Sequence, residues 1–336
     1  MCYLVTGGLG VGGSLLTRQL CSQGHTVVIL DAMESPRTAL TREWLLRDCG
    51  TAVTVVVGRV ESYPLDPLVE SCDAIIHAAA HTGIPHSALD PEDDWVSNVD
   101  ATRKLLDAVR RYPRPTVVMS SVKPYRVHDL PVEVSGDRYI WRDFRFGISE
   151  SWPLEPDEPY AASKLAQSAL TMAWSRTWDL PVTCLRFSNL YGPALCHGPR
   201  HGWLTWFCLS AAMGVPIKVQ GNGFQVRDML YSSDINAALL TALDHIQTLK
   251  GQVFNVGGGT KNAVSVNEAA AMMGGEVLRG IPGRQNEDPI FITDHDKFSS
   301  LTGWKPLVSV TAGVDHIAKW SREHVLELRE VYAQWL

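Results

Sequence analysis

The segment PYAASK places Tyr160 and Lys164 four residues apart, so a helix would carry both side chains on one face. An ammonium beside a phenol stabilises the phenolate, and further positive charge nearby adds to that effect. The phenol could then take a hydroxyl proton while hydride leaves the carbon. Ser121, at the end of the apolar run TVVMSS, is expected to hydrogen-bond the same hydroxyl oxygen. Two residues on stands Lys123, for which three roles are open. It could be a cation that neutralises substrate phosphate or a developing enolate, or a neutral amine that removes a proton beside a transient ketone. It could also be a lysine that reaches back to water at the strand end.

Hydride chemistry of this kind needs an acceptor, and the first residues supply a place for one. TGGLGVGG, Thr6 to Gly13, follows a strand-like run and opens a helical one, with Gly7, Gly10 and Gly13 in the spacing G-x-x-G-x-x-G. Such glycines let the backbone approach a pyrophosphate whose charge meets a helix N-terminus. Asp31, at the tip of the second apolar run, can accept hydrogen bonds from both ribose hydroxyls and would repel a 2′-phosphate. That favours NAD over NADP, while Arg37 keeps the NADP alternative open.

The elements that must hold these groups follow from the alternation of the chain. Short β-branched runs (CYLVTG, TVVILD, AVTVVVG, DAIIHAAA, TVVMSS, VTCLRF) alternate with helix-length segments, the clearest from about 93 to 111 and from about 160 to 178. Runs buried on both faces and separated by helices predict an α/β fold with a doubly wound parallel sheet. Between Tyr125 and Tyr160 lies a long insertion with the charged and aromatic stretch WRDFRF, expected to cover an active site. After Gly192 the alternation loosens. The expected division is a dinucleotide-binding domain over residues 1–188, to which 225–260 return, and a smaller substrate lobe from 189–224 and 261–336. The cleft between them is where a substrate should sit.

Bulk properties narrow the partners. Thirty basic against thirty-six acidic residues in 336, without a block of like charge, point to small molecules and away from nucleic acid or a membrane surface. Seven cysteines without a C-x-x-C pair fit neither a disulfide framework nor a zinc site, so reduced thiols, no metal and a cytoplasmic location are expected. The opening MCYLVTGG has no charged and apolar leader pattern, and no apolar run approaches the roughly 18 residues of a membrane span. Trp174 and Trp178, one turn apart, are expected to pack at a helix interface.

The glycine turn, the serine pair and Y-x-x-x-K occur together with HAAA (77–80), Asn98 in SNVDAT, RFSNLYGP (186–193), QVRDMLYSSD (225–234), FNVGG (254–258) and GWKP near Trp304. In this combination nearly the whole chain resembles the extended short-chain dehydrogenase/reductase family, which includes sugar-nucleotide epimerases and dehydratases. The resemblance implies a Rossmann-type sheet with a smaller C-terminal α/β substrate-binding lobe, tightly held NAD, and a homodimer or higher homo-oligomer formed through two helices. It implies cofactor contacts at Leu9, Val11, Val60, Ala78, Ala79, Ala80, Asn98, Ser120 and Phe187, in addition to the glycines, Asp31, Tyr160 and Lys164. Substrate contacts are implied at His81, Asn189, His201, Arg227 and Arg284, with His197 a further histidine of the same region. The two arginines would meet a diphosphate, which a guanidinium fork suits.

Departures from the family pattern are informative. The acid that usually follows the glycine after the third strand and contacts adenine is Arg59. Family members that eliminate water between C4 and C6 of a hexose place Asp and Glu directly after the catalytic serine or threonine; Val122 and Lys123 stand there. The runs HGWLTWFCLSAA, GNGFQVRDMLYSSD, FNVGGGTKNAVSV and DPIFITDHDKFSSLTGWKPLVSV are similar to the CDP-paratose 2-epimerase (CDP-tyvelose epimerase) branch, where a lysine also stands at the position of Lys123. The expectation is therefore a redox-neutral epimerase of a nucleotide-linked sugar. The rival is a dehydratase that forms an unsaturated sugar on a nucleotide sugar or a nucleoside. A non-catalytic NAD sensor is a third reading, opposed by the intact set of Ser121, Tyr160 and Lys164.

Overall fold

The computed structural model describes residues 1–10, 12–82, 87, 89–143, 146–193, 198–199, 202–284 and 287–333. Six of the expected apolar runs and one later one form a seven-stranded parallel sheet. Its strands are β1 (Cys2–Thr6), β2 (Thr26–Asp31), β3 (Val53–Val57), β4 (Ala74–His77), β5 (Thr116–Ser121), β8 (Val182–Phe187) and β12 (Val253–Val256). The order across the sheet is β12-β8-β5-β4-β1-β2-β3. Strand order reverses between β1 and β4, which opens a crevice at their carboxyl ends.

Both faces of the sheet are covered, which is why its strands read as continuous apolar runs. Val5, Ile29 and Ile76 face one core with Leu16 and Leu20 of helix α1 (Gly13–Ser22) and Leu239 of the helix Ser232–Asp244. Leu4, Ile75 and Val118 face the other with Leu105, Leu106 and Val109. Helix α2 (Pro36–Cys49) starts on a capping box in which Ser35 and Thr38 exchange side-chain and backbone hydrogen bonds. A third helix, α3, spans Asp66–Ser71. Then α4 (Pro91–Trp95) runs through a π turn at Val96–Asp100 into α5 (Ala101–Arg111), and α6 spans Pro159–Trp178. Trp174 and Trp178 on α6 meet edge to face at 5.5 Å.

The smaller sheet is built on β11 (Val226–Tyr231), with β13 (Ala263–Ser265) antiparallel to it and β9 (Asn189–Tyr191) and β15 (Ile290–Phe291) parallel. Beside it, β10 (Ile217–Gln220) pairs with β14 (Val277–Ile281).

The long insertion forms a hairpin, β6 (Val132–Ser135) and β7 (Arg138–Trp141), that is fastened to the smaller lobe. Arg138 grips Glu268 with a 2.7 Å contact from Nε and donates to the Ala263 carbonyl at 2.9 Å, and the Tyr139 amide donates to Phe224 O at 2.8 Å. Among the described residues from 126 to 157, none lines the cleft. Over its described residues, which leave out 144 and 145, the expected active-site cover is thus a brace, with Arg138 and the Tyr139 amide on partners in the lobe. At its root, Tyr125 OH donates to Asn255 Oδ1 of β12 at 2.8 Å and accepts from Arg186 Nη1 of β8 at 2.9 Å. Arg186 is buried, with its guanidinium 5.2 Å from the Tyr125 ring centroid. Tyr125→Phe removes both hydrogen bonds and strands a buried donor, so it should lower stability by about 1–3 kcal/mol in chemical denaturation. An unchanged midpoint would mean that the insertion is held elsewhere.

Candidate active site

The carboxyl ends of β1, β2, β4 and β5 open on a cleft of about 1150 Å³. The glycine turn forms its floor. Gly7 has φ +67, and a Cβ there would come within 2.6 Å of Ala79 Cα, so both the backbone conformation and the close approach of the segment after β4 require glycine. A Cβ on Gly13 would lie 2.5 Å from Gly8 Cα, which explains the glycine where α1 packs on the turn. Gly10 N donates to Gly7 O at 3.0 Å and closes the turn. Asp31 receives the Leu9 amide at 3.0 Å on one oxygen and the Met33 amide at 3.0 Å on the other, and it lines the cleft. This cradle fits a dinucleotide, with backbone placed for a pyrophosphate and an acid placed for a ribose. Leu9 is buried beneath the turn; Arg37 is also buried and donates to the Leu9 carbonyl at 3.2 Å.

Further along the same wall stand Arg59, Val60, Ala78, Ala79, Ala80, Ser120 and Phe187. Asn98 lies behind it, donating to the His81 carbonyl at 3.1 Å and to Ser163 Oγ at 2.9 Å, so it anchors the segment after β4 to α6. Ser120 is turned inward, with its hydroxyl on Lys164 O at 3.1 Å and Ser168 Oγ at 3.0 Å. His77, buried between Thr6 and Thr102 hydroxyls at 2.7 and 2.9 Å, is driven down to about 3 by burial and by Lys164, so its ring is neutral.

Ser121, Tyr160 and Lys164 converge on the cleft from the end of β5 and the first turns of α6. Tyr160 is half-buried and lines the cleft. Burial pushes its phenol up to about 12, hydrogen bonding to Ser121 pulls it down, and Asp94 and Glu158 add to the rise. Lys164 is buried, and desolvation lowers it to about 8. Its ammonium donates to Gln167 Oε1 at 3.0 Å and approaches Met119 O at 3.5 Å.

His81, Lys123, Asn189, Arg227 and Arg284, four of them expected at a substrate, line the same cleft. Lys123, Arg227 and Arg284 each have an acid. Lys123 Nζ pairs with Asp288 Oδ2 at 3.0 Å, and its own amide donates to Ser121 Oγ at 3.2 Å. Arg227 and Arg284 meet on one oxygen of Glu287, at 3.5 and 3.2 Å. His81 Nδ1 lies 2.6 Å from the buried Asp94. Val11, His197 and His201 lie outside the described residues. Asp288, Glu287 and Glu158 were not legible as site residues. Asp288 reaches Lys123 from 165 positions along the chain, and Glu158 precedes Tyr160 by only two. Burial raises the Glu158 carboxyl against the pull of Lys123, and its Oε1 has no hydrogen-bond partner among the described residues. An acid directly before the Pro-Tyr of the helix start is the signal that could have marked it.

The profile of the NAD dependent epimerase/dehydratase family matches residues 3–257. The chain belongs to that family. A CDP-paratose 2-epimerase of Salmonella typhi is 28% identical over 336 residues, covering 96% of this chain and 99% of the relative. A dTDP-glucose 4,6-dehydratase of Streptomyces venezuelae, solved as a double mutant with NAD bound, superposes with a TM-score of 0.83 at 25% identity, covering 98% of this chain and 100% of that one. A UDP-glucuronic acid 4-epimerase of Bacillus cereus, solved with UDP-glucuronic acid and NAD, shares the fold with a TM-score of 0.81 at 22% identity, over 96% and 99% of the two chains. The cofactor of this family member is NAD, and the cradle of Gly7, Gly10, Gly13 and Asp31 is shaped to hold it.

A lysine whose pKa falls on folding binds fewer protons in the native state, so stability rises with pH from about 8 toward the ordinary 10.5. The raised phenol of Tyr160 acts oppositely, costing stability from 10 up to about 12. In urea denaturation of protein stripped of dinucleotide, the stability of wild type relative to Lys164→Met should therefore climb by about 2 kcal/mol between roughly pH 8 and pH 10. A difference that stays flat with pH would contradict the burial of a titrating ammonium.

Proposed function

We propose that the chain is an NAD-dependent epimerase of a nucleotide-linked sugar, of the CDP-paratose 2-epimerase kind. The observation that carries this reading is the meeting of Ser121 and Tyr160 at the cleft with the ion-paired Lys123 two residues on, in place of a paired Asp and Glu. The likeness to the Salmonella enzyme over nearly the full length of both chains supports the same choice.

In this reading Tyr160 accepts the proton of a sugar hydroxyl while Ser121 hydrogen-bonds the oxygen. Bound NAD supplies the acceptor for the hydride and later its donor. Lys164 offsets the burial of the phenolate electrostatically. Lys123, held by Asp288, offers an ammonium to the oxygen of the transient ketone. Tyr160 would return the proton to the sugar oxygen as the ketone is reduced again, so that no redox equivalent is consumed. Arg227 and Arg284 receive the diphosphate, which takes over the contacts now made by Glu287.

A second reading, a dehydratase, is favoured by Glu158. Burial raises the proton affinity of this carboxyl near Lys123 and Tyr160, which makes it the group that could hand a proton to a departing hydroxyl. The lobe division, 1–188 with 225–260 against 189–224 and 261–336, belongs to the proposal, as do a cytoplasmic location and a homo-oligomer. The return of β12 to the main sheet supports the division, although β11 stands in the smaller sheet. The exposed Trp178 on α6, with Arg110 over its ring, supports an assembly through these helices.

Incubation with CDP-paratose should give a product of unchanged mass, with no added reductant and no net change in nicotinamide absorbance. A product lighter by one water would transfer the assignment to the dehydratase. Tyr160→Phe should keep its NAD and lose about 10³-fold in kcat, whereas wild-type turnover would remove the phenol from the chemistry. Lys123→Met should lower kcat about 10²-fold with little change in KM, and normal activity would return Lys123 to a strand-end lysine.

A further inference from the structure

Arg59 occupies a family position at which an acid is usual, and the structure gives it a use of its own. Its guanidinium spends each nitrogen on a different partner. Nε bonds Glu61 Oε1 at 2.5 Å, Nη1 bonds Glu34 Oε1 at 2.7 Å, and Nη2 bonds Asp93 and, at 2.8 Å, Ser97 Oγ. These partners come from opposite sides of the switch point. Glu34 follows β2, which flanks β1 on one side; Asp93 and Ser97 follow β4, which flanks it on the other. Arg59 itself follows β3 at the sheet edge.

All five residues line the cleft, at the end marked by Asp31. The contacts therefore run across the crevice where the ribose of the adenosine half belongs. They lie at its rim: the Arg59 side chain is 34% exposed, Glu34 59% and Glu61 15%. Three acids against one guanidinium hold it charged, since the hydrogen bonds to Glu61 and Asp93 outweigh the effect of burial. The Asp93 carboxyl is held down by Arg59 against its own burial. His81 approaches Asp93 from the cleft side, 3.8 Å from its other oxygen. Single exposed ion pairs contribute little, but a fork engaged with three acids and a hydroxyl is a network.

We propose that Arg59 retains the dinucleotide, its guanidinium tying Glu34 on one side of the crevice to Asp93 and Ser97 on the other across the adenosine end. Release of the cofactor then requires these contacts to break. Retention has a purpose in a cycle that gives back its own hydride, because loss of the dinucleotide between the two transfers would leave a ketone unreduced. The device depends on the cofactor alone and holds for epimerase and dehydratase alike.

The test is the rate at which NAD leaves the holoenzyme, followed by trapping released NAD with excess alcohol dehydrogenase and ethanol. Arg59→Ala should release NAD about tenfold faster than wild type, and Glu34→Gln a few-fold faster. Raising salt to roughly 1 M, where screening acts within about 3 Å, should speed wild-type release toward that of Arg59→Ala and leave the variant nearly unchanged. Release from Arg59→Ala at the wild-type rate, or an equal salt effect on both proteins, would overturn the proposal. If Arg59→Ala fails to fold, the exposed Glu34→Gln decides: faster release that salt speeds less than it speeds wild type supports the strap, and wild-type release refutes it.

Discussion

Removing Tyr160 and Lys164 from water is the constraint on which the site depends. Burial opposes charge on both, lifting the phenol to about 12 and bringing the ammonium down to about 8. Both shifts oppose the proposed proton transfer: free, the two groups would lose their protons at nearly the same pH, whereas here the phenol holds its proton well above the lysine. The phenol can therefore lose its proton only when positive charge is placed beside it, which is what a bound nicotinamide would supply. The fold supplies that burial through the first turns of α6, which lie against the end of β5 where Ser121 and Ser120 stand. Neutral His77 and the Thr102–Gln167 contact at 3.0 Å close the space behind the lysine without adding a competing charge.

The other cations of the cleft are handled differently. Arg59, Lys123, Arg227 and Arg284 all carry carboxylate partners at the surface of the crevice. Burying an unpaired charge is costly, so these four cations are neutralised locally until a ligand arrives. Arg227 is the clearest case. Its side chain is 10% exposed, and burial lowers its pKa while Glu287 and Asp288 oppose the change. A substrate diphosphate would thus exchange one anion for another at the arginines, and binding should be governed by that exchange.

Much of this was legible in the sequence because it is local. The glycine turn, the strand alternation and Tyr160 with Lys164 depend on spacings of a few residues, and those spacings fix backbone approach and helical face directly. Asp288 on Lys123 was not legible, since the pair joins a strand end to a loop of the smaller lobe and only the folded chain measures that distance. The same holds for Arg59, whose change from an acid was visible but whose three carboxylates come from three connections. The insertion misled for another reason. Its length and aromatic charge resemble a cover, whereas Arg138 and the Tyr139 amide fasten it to groups on the smaller lobe that a linear reading does not bring near.

The account rests on hydride leaving and returning to one sugar carbon beside Tyr160. Its most direct test is turnover of CDP-paratose carrying deuterium at C2, with the product examined by NMR and mass spectrometry. The account predicts an epimer that retains the label at C2 and gains none from solvent. Loss of that deuterium to water, or its appearance in released cofactor, would contradict it.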